Sequence, residues 1–363
     1  MVSLDNTGVN GTATSEVGES FEPRCMATTL ATMPFRNPEE ACRIILENFP
    51  EAPPLPKLTN SQRRYLNGMP CLIVDREKRR VTFDLSKHDE INQFYERYLS
   101  DDLEYFAMDP KDAPGFYAFL DVLRNSPPPE LKIIHLGLLG PITFGLTTKD
   151  HQTEVPALYD LNMRDIIIKT QVMKAKWQEK KIKEILPGVK TMITAGEPSL
   201  GIIDTPFGSI STDEVVNIFD ELLGDLESVG CVHCCDNMDW SKLMKTRTRI
   251  INPDAYEFMD KFSLYPKEVK AYLDRGGMFA WGIVPVSEEA LAHEDCDSLI
   301  DRLEAGLENM EKAGVDKKLL LERSFITPAC TTSNLSLDQA ERAFGLTKDI
   351  SQTMRDKYFG DRS

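Results

Sequence analysis

The sequence contains no apolar run that approaches the length of about 18 residues needed to cross a membrane. Positive charge is also scarce, because 42 lysines and arginines stand against 58 aspartates and glutamates and leave a formal net charge of −16. Nucleic acids and anionic membrane surfaces both bind clustered lysines and arginines, so this balance disfavours either as a partner. The 41% of hydrophobic residues is normal for a folded chain, and we expect a soluble protein.

The first 23 residues lack both the basic start and the apolar centre of a secretory signal. We interpret residues 1–23 as a flexible tail that precedes a single catalytic domain over residues 24–363. Eight cysteines in a long chain without a signal are more typical of reduced thiols than of a disulfide framework. We therefore expect a cytoplasmic protein in which some cysteines are available as metal ligands.

Short apolar segments alternate with longer amphipathic ones along most of the chain. Segments such as 191–195, 230–235 and 278–284 predict strands, and the stretches between them predict helices. This alternation is typical of parallel strands joined by helical crossovers. Seven strands are identified in this way and an eighth is expected between residues 50 and 110, so we predict an α/β fold of the closed (β/α)8 TIM-barrel type.

Two further patterns bear on the fold. The strand-like segments 71–75 and 81–85 flank a charged stretch and predict a small β-hairpin extension outside the barrel. A doubly wound open sheet is the alternative architecture. No Gly-x-Gly-x-x-Gly follows the first predicted strand, so dinucleotide binding has no specific support.

The densest group of chemically active side chains lies in the predicted strand at residues 231–235. Alternate residues of a strand share a face, so His233 and Cys235 point the same way and Cys234 points the other way. An imidazole and a thiolate that project together from a strand end provide half of a tetrahedral zinc site. The alternative is simple packing, because cysteines are among the most buried residues.

Two other residues follow predicted strands and are candidates for the rest of the site. Barrel active sites collect side chains from the C-terminal ends of several strands, which favours Cys330 and Asp254. One histidine, two cysteines and one aspartate would complete a set of four ligands for Zn²⁺. Asp254 also precedes a predicted helix, where an aspartate is often the N-cap.

Six stretches, in the same order along the chain, resemble the catalytic half of cobalamin-independent methionine synthase. The resemblance runs from residue 27 to the last helix. It points to a short stand-alone member of the superfamily that includes uroporphyrinogen decarboxylase. The stretches are TTLATMP (28–34), LLGPIT (138–143), GEPSL (196–200), HCCDNMDW (233–240), FAWGIVP (279–285) and ITPAC (326–330).

The resemblance implies a TIM-barrel methyltransferase that uses Zn²⁺ to move a methyl group to or from a thiol. The zinc ligands it implies are a His-x-Cys pair, an acidic residue after the next strand and a late cysteine. On this chain they are His233, Cys235, Asp254 and Cys330. The family more usually has glutamate at the position of Asp254.

The resemblance also suggests residues on the substrate side of the site. Glu197 is the candidate for orienting substrate or transferring a proton. Asn237 and Asp239 are candidates for hydrogen bonds to His233 or to substrate. Thr32 and Trp281 are candidates for substrate contact, although a tryptophan in such a pattern is more often a core residue.

Substrate identity is less clear, because the sequence departs from the methionine synthase pattern. The Asp-Glu-Pro motif of that family stands here as Gly196-Glu197-Pro198, so an aspartate of its folate site is missing. The family's His-Gly-Glu stretch after the second strand has no clear counterpart. We therefore expect a methylated corrinoid protein as the donor, and homocysteine or another small thiol such as coenzyme M as the acceptor.

Two alternatives remain open at the level of sequence. One is a metal-free lyase of the uroporphyrinogen decarboxylase type, although the arginine-rich motif of that family is replaced here by Met33-Pro34-Phe35-Arg36. The other is a non-catalytic module that binds a corrinoid protein, with zinc only closing the fold.

Overall fold

The computed structural model describes residues 21–30, 32–58, 62–75, 77–78, 80–205 and 210–360, so residues 1–20 of the predicted tail lie outside the described residues. The strands in the described part are β1 (Met26–Ala27), β2 (Thr32–Met33), β3 (Lys57–Leu58), β4 (Leu72–Asp75), β5 (Arg80–Phe83), β6 (Ile133–Leu139), β7 (Lys149–Asp150), β8 (Lys190–Gly196), β9 (Val229–Cys234), β10 (Ile250–Pro253), β11 (Met278–Val284) and β12 (Ser324–Pro328). The helices there are α1 (Pro38–Asn48), α2 (His88–Leu99), α3 (Pro114–Asn125), α4 (Pro141–Thr147), α5 (Leu161–Ile185), α6 (Thr212–Leu223), α7 (Ser241–Met244), α8 (Ala255–Phe258), α9 (Pro266–Asp274), α10 (Glu288–His293), α11 (Cys296–Lys312), α12 (Lys317–Glu322) and α13 (Leu337–Phe359).

Seven strands form one parallel sheet in the order β1-β12-β11-β10-β9-β8-β6. The sheet is curled, because residues from all seven strands pack together in a single apolar cluster on one face. Flat strands at opposite edges of a sheet could not bring these side chains into contact. The cluster also contains Ala52 and comprises Met26, Ile133, Met192, Cys231, Ile250, Met278, Ala280 and Phe325.

The α/β architecture with a barrel-like parallel sheet is confirmed, but the prediction of a closed eight-stranded barrel is wrong. Residues 53–58 lie between β6 and β2, where the eighth strand of a closed barrel would stand. Pro54 forms an isolated bridge with His135 on β6, and β3 pairs with β2. Leu55 donates its amide to the carbonyl of His135 at 2.8 Å, and β3 pairs with β2 in a separate two-stranded sheet. Prolines at positions 53, 54 and 56 have no amide hydrogen to donate, so this segment cannot form a full ladder.

The predicted β-hairpin extension is confirmed. β4 and β5 pair antiparallel, and the short β7 joins them on the other side of β5. The apolar side chains of this unit pack against Phe94, Phe106 and the first half of α5 in a second core cluster. In the sequence, a charged stretch separates the two strands, as predicted.

No helix in the described residues is both long and apolar enough to cross a membrane.

Helix starts follow the capping rules. Asn37 caps α1 through its side chain, with Pro38 at the first helical position. Ser211 is the N-cap of α6. Ser211 forms a capping box with Glu214, in which each side chain binds the other's backbone amide.

Gly140 allows the start of α4 to approach the end of β8. A Cβ atom at this position would lie 2.1 Å from the carbonyl oxygen of Gly196 and 2.4 Å from Cδ of Glu197. Both contacts are far shorter than van der Waals distance, and the first is to backbone that cannot rotate away. The turn between β6 and α4 therefore requires glycine here.

We expect Gly140→Ala to lower the free energy of unfolding by about 1–3 kcal/mol, as overpacking of a tight site does. Gly345→Ala is the matched control. Gly345 lies inside α13, and a Cβ atom there would have nothing within 4 Å, so alanine should stabilise the helix by about 0.5–1 kcal/mol. Urea denaturation of both variants measures the difference. Equal effects of the two substitutions would contradict the close approach.

Candidate metal centre

The carboxyl ends of the parallel strands bring the predicted metal ligands to one edge of the sheet. In the register of the ladder, His233 on β9 lies beside Gly196 on β8 and beside Asn252 on β10. Cys235 follows β9 directly, and Cys330 follows β12 after one intervening residue. Residues distant in sequence therefore meet because their strands end at the same level.

Three of the four predicted ligands converge. One ring nitrogen of His233 and the Sγ atoms of Cys235 and Cys330 all lie within 4.8 Å of one another. His233 is buried, and the two cysteines are half-buried. One imidazole and two thiols at this spacing have the donor types and the proximity needed to bind one Zn²⁺ ion.

The hydrogen bonding of His233 leaves one ring nitrogen available as a ligand. Nδ1 lies 3.0 Å from the carbonyl oxygen of Asn252, which can only accept, so Nδ1 carries the proton. Nε2 therefore has a lone pair, and it is buried with no hydrogen-bond partner among the described residues. A buried nitrogen without a partner is costly unless something binds it, and a metal ion fits this position.

The two thiols interact directly. A hydrogen bond between them raises the pKa of Cys235 and lowers the pKa of Cys330. Thiolate is the form that binds zinc. A bound cation would favour the thiolate form of both cysteines.

Asp254 lies next to this group without joining it. It is the N-cap of α8 and accepts the amide of Glu257 at 3.0 Å. Burial raises its pKa to about 6, and the hydrogen bond from the amide of Glu257 partly offsets this. Its carboxylate also raises the pKa of Cys330. The carboxylate is therefore close to the centre, and its role as a fourth ligand stays a prediction.

Glu197 follows β8 and is completely buried. Oε1 accepts the amide of Ile142 at 2.9 Å and Oε2 accepts the amide of Thr143 at 2.7 Å, both at the start of α4. Burial raises its pKa to about 7, against the opposing effect of these hydrogen bonds. Its amide donates to the carbonyl of His233 at 2.8 Å, which ties it to β9. Glu197 thus holds a helix in place, and its predicted catalytic role remains a prediction.

The other predicted substrate residues occupy three different environments. The carbonyl oxygen of Thr32 accepts the amide of Thr332 at 3.0 Å, so Thr32 lies beside the segment that carries Cys330. Trp281 is 1% exposed, stacks on Phe279 at 4.6 Å and donates to Oγ of Ser324. That environment is typical of a core aromatic, and substrate contact by Trp281 stays a prediction.

Asn237 and Asp239 line a surface pocket of about 420 Å³ with Met238, Lys261, Leu264 and Tyr265. Asp239 accepts the amide of Ser241 at 3.1 Å. None of the three convergent ligands is among the lining residues of this pocket. The two side chains therefore line a pocket beside the loop after β9 that the three convergent ligands do not line. Their contact with substrate stays a prediction.

Asn252 is a functional residue that sequence reasoning missed. Its carbonyl orients His233, and its side chain donates to the carbonyl of Ala280 at 2.5 Å and to Oγ1 of Thr327 at 3.0 Å. It links β10 to the two next strands at the level of the site. The sequence did contain one sign of this role, because Asn252 interrupts the apolar segment before Asp254. A buried polar side chain in such a segment needs hydrogen-bond partners.

Comparison with known proteins adds support for the fold alone. No family model matches the sequence, and no curated protein matches it significantly. Among solved structures, the chain is similar to one described as a B12-independent methionine synthase from Shewanella sp. W3-18-1 in complex with selenomethionine. The match covers 92% of this chain and 99% of that chain, with a TM-score of 0.54 and 14% sequence identity.

We expect the purified protein to bind about one Zn²⁺ per chain and to lose it when His233, Cys235 or Cys330 is replaced. Cys330→Ser tests this, because serine keeps the size of the side chain but removes the thiolate. Cys296→Ser is the matched control, since Cys296 is also half-buried but lies at the start of α11. Metal analysis after dialysis measures the difference. Full zinc content in Cys330→Ser would contradict the assignment.

We expect Glu197→Gln to lower the free energy of unfolding by about 1–3 kcal/mol, because an amide cannot accept from two backbone amides with two oxygens. Glu289→Gln, on the exposed start of α10, should change it by less than about 0.5 kcal/mol. Denaturant titration distinguishes them. A neutral effect of Glu197→Gln would mean that the carboxylate is not needed to hold α4.

Proposed function

We propose that this chain is a zinc-dependent methyltransferase that moves a methyl group between a methylated donor and the sulfur of a small thiol. The observation that carries the proposal is the convergence of His233, Cys235 and Cys330, with ligand atoms within 4.8 Å of one another. The fold is similar to that of a structure described as a B12-independent methionine synthase, and we infer the class of reaction from this fold together with the site.

The donor set fits zinc in a reactive site better than in a purely structural one. Structural zinc is closed by four protein ligands, whereas catalytic zinc keeps a position open. Three protein ligands converge in the described residues. A substrate sulfur would take the fourth position, either directly or by displacing Asp254. Bound there, Zn²⁺ would act as a Lewis acid that keeps a coordinated thiol in its thiolate form near neutral pH.

In the proposed reaction, the substrate sulfur attacks the methyl carbon of the donor. The thiol proton leaves to solvent before the attack, a carbon–sulfur bond forms, and the bond between methyl and donor breaks with its electron pair remaining on the donor. The residues of this chain hold the nucleophile in place. His233 is fixed by Asn252, and the segment after Cys330 is held against Thr32.

We propose a methylated corrinoid protein as the donor and homocysteine, or another small thiol, as the acceptor. The choice of donor rests on the sequence alone, because Gly196 stands where the related folate-dependent enzymes have an aspartate.

We also propose a cytoplasmic location. It is supported by eight cysteines that form no disulfide, as is usual in a reducing compartment.

A methyl-transfer assay tests the function. We expect the zinc-loaded protein to methylate at least one thiol in a panel that includes homocysteine and coenzyme M, with methylcobalamin as donor. Removal of zinc or Cys330→Ser should reduce the rate by more than about 100-fold, and Cys296→Ser should not. The absence of transfer to every thiol from both methylcobalamin and methyltetrahydrofolate would contradict the proposal.

The same variants distinguish a catalytic zinc ion from one that only stabilises the fold. If zinc only closed the fold, Cys330→Ser should unfold the chain, which circular dichroism would detect. We expect instead a folded and inactive variant. A metal-free decarboxylase would contain no stoichiometric zinc, so the metal analysis addresses that alternative as well.

A further inference from the structure

Lys57 lies deep in the molecule on β3. Burial first, and then the nearby charge of Arg64, lower its pKa from 10.5 to about 7. The residue as a whole is nevertheless only half-buried.

The ammonium group of Lys57 has no partner in the described residues. It forms no ion pair and no hydrogen bond there, and the charged groups that influence its pKa do not include a carboxylate. An ammonium removed from water without a partner is costly, and proteins retain such groups mainly at functional sites. Lys174 shows the usual structural solution, because its buried ammonium donates to the carbonyl of Phe106 at 2.9 Å.

A second donor points to the same space. The hydroxyl of Tyr65 is buried and has no hydrogen-bond partner among the described residues. A Cβ atom on Gly137 would lie 2.4 Å from Nζ of Lys57 and 3.4 Å from the Tyr65 hydroxyl. Both donors therefore lie next to Gly137, where the absence of a side chain makes room for the ammonium of Lys57.

Gly137 lies on the same side of the sheet as the candidate metal centre. His135 precedes Gly137 by two residues on β6, so both face the interior. His135 is neutral, with its pKa lowered to about 3 by burial first and then by the nearby charge of Lys57. Lys57 and His233 both lie close enough to His135 to influence its pKa.

We propose that Lys57 and Tyr65 bind the acidic group of the substrate, so that the preferred acceptor is a small thiol that carries a carboxylate or a sulfonate. Two donors without partners among the described residues, one of them an ammonium, match an oxyanion. Arg64 adds positive charge next to Tyr65, with its guanidinium 5.5 Å from the ring centre and a hydrogen bond to the carbonyl of Leu58. The acceptor role rests on the proposed function, whereas the anion site does not.

Binding of acids without a thiol tests the site independently of methyl transfer. The probes are propionate and ethanesulfonate, with propylamine and propanol as the cationic and neutral counterparts, measured by calorimetry on the metal-free protein. We expect the two acids to bind at least about tenfold more tightly than the counterparts, since they gain charge-assisted hydrogen bonds. Equal binding of acidic and neutral probes would overturn the proposal.

The matched variants are Lys57→Met and Lys174→Met, which remove one buried ammonium each. We expect Lys57→Met to lose the preference for acids and Lys57→Arg to retain part of it. Lys174→Met should keep the preference even if it is less stable. Gly137→Ala would place a Cβ atom 2.4 Å from Nζ of Lys57, so it should displace the ammonium and weaken acid binding too. Unchanged acid binding in folded Lys57→Met would overturn the proposal.

Turnover with thiols of matched size then connects the site to the reaction. In Lys57→Met, the Michaelis constant for the acidic thiol mercaptopropionate should rise at least about tenfold, whereas the constant for neutral mercaptoethanol should stay the same. If no thiol is methylated but the acids still bind through Lys57, the proposed function fails and the anion site stands. If thiols are methylated and Lys57→Met changes none of these constants, the role in substrate selection fails.

Discussion

The hydrogen bond from Nδ1 of His233 to the carbonyl oxygen of Asn252 is the interaction on which the rest of the site depends. It fixes the tautomer of the ring and leaves Nε2 as the free lone pair. The acceptor is part of the backbone of the next strand, and the Asn252 side chain is itself bound to Ala280 and Thr327. The orientation of this candidate metal ligand is thus set by the register of the parallel sheet, which a single surface substitution cannot easily disturb.

The interior of the sheet changes in character from one end of the strands to the other. One end is filled by the apolar cluster that contains Cys231 and Phe325. Hydrogen-bonded polar side chains follow, in which the hydroxyl of Thr28 lies 3.1 Å from Nδ1 of His135 and Nε2 of His135 lies 2.7 Å from Thr194. Beyond them lie the ammonium of Lys57 and Nε2 of His233, which have no hydrogen-bond partner among the described residues, together with the thiols of Cys235 and Cys330. This order is expected of a barrel-like site, because a packed floor gives stability and the unsatisfied groups at the open end provide the chemistry.

The sequence predicted features that depend on neighbouring residues of one strand. It did not predict contacts between residues that are distant in sequence. The common face of His233 and Cys235 follows from the two-residue period of a strand, and the convergence of Cys330 with them is confirmed. The binding of Glu197 to the amides of α4 could not be predicted, because it depends on how closely two separate strand ends approach. Lys57 was missed for a related reason: it stands in a proline-rich segment that is typical of a connection, and only the tertiary structure shows that this segment takes the place of the eighth strand.

The reactive metal centre is tested most directly by X-ray absorption at the zinc edge, with and without a thiol substrate. We expect two sulfur scatterers at about 2.3 Å and at least one nitrogen at about 2.0–2.1 Å in the zinc-loaded protein. Addition of the thiol should raise the sulfur count to three, since the substrate enters the open position. A zinc environment without sulfur, or one that does not change when the thiol is added, would contradict the claim that His233, Cys235 and Cys330 form a reactive metal centre.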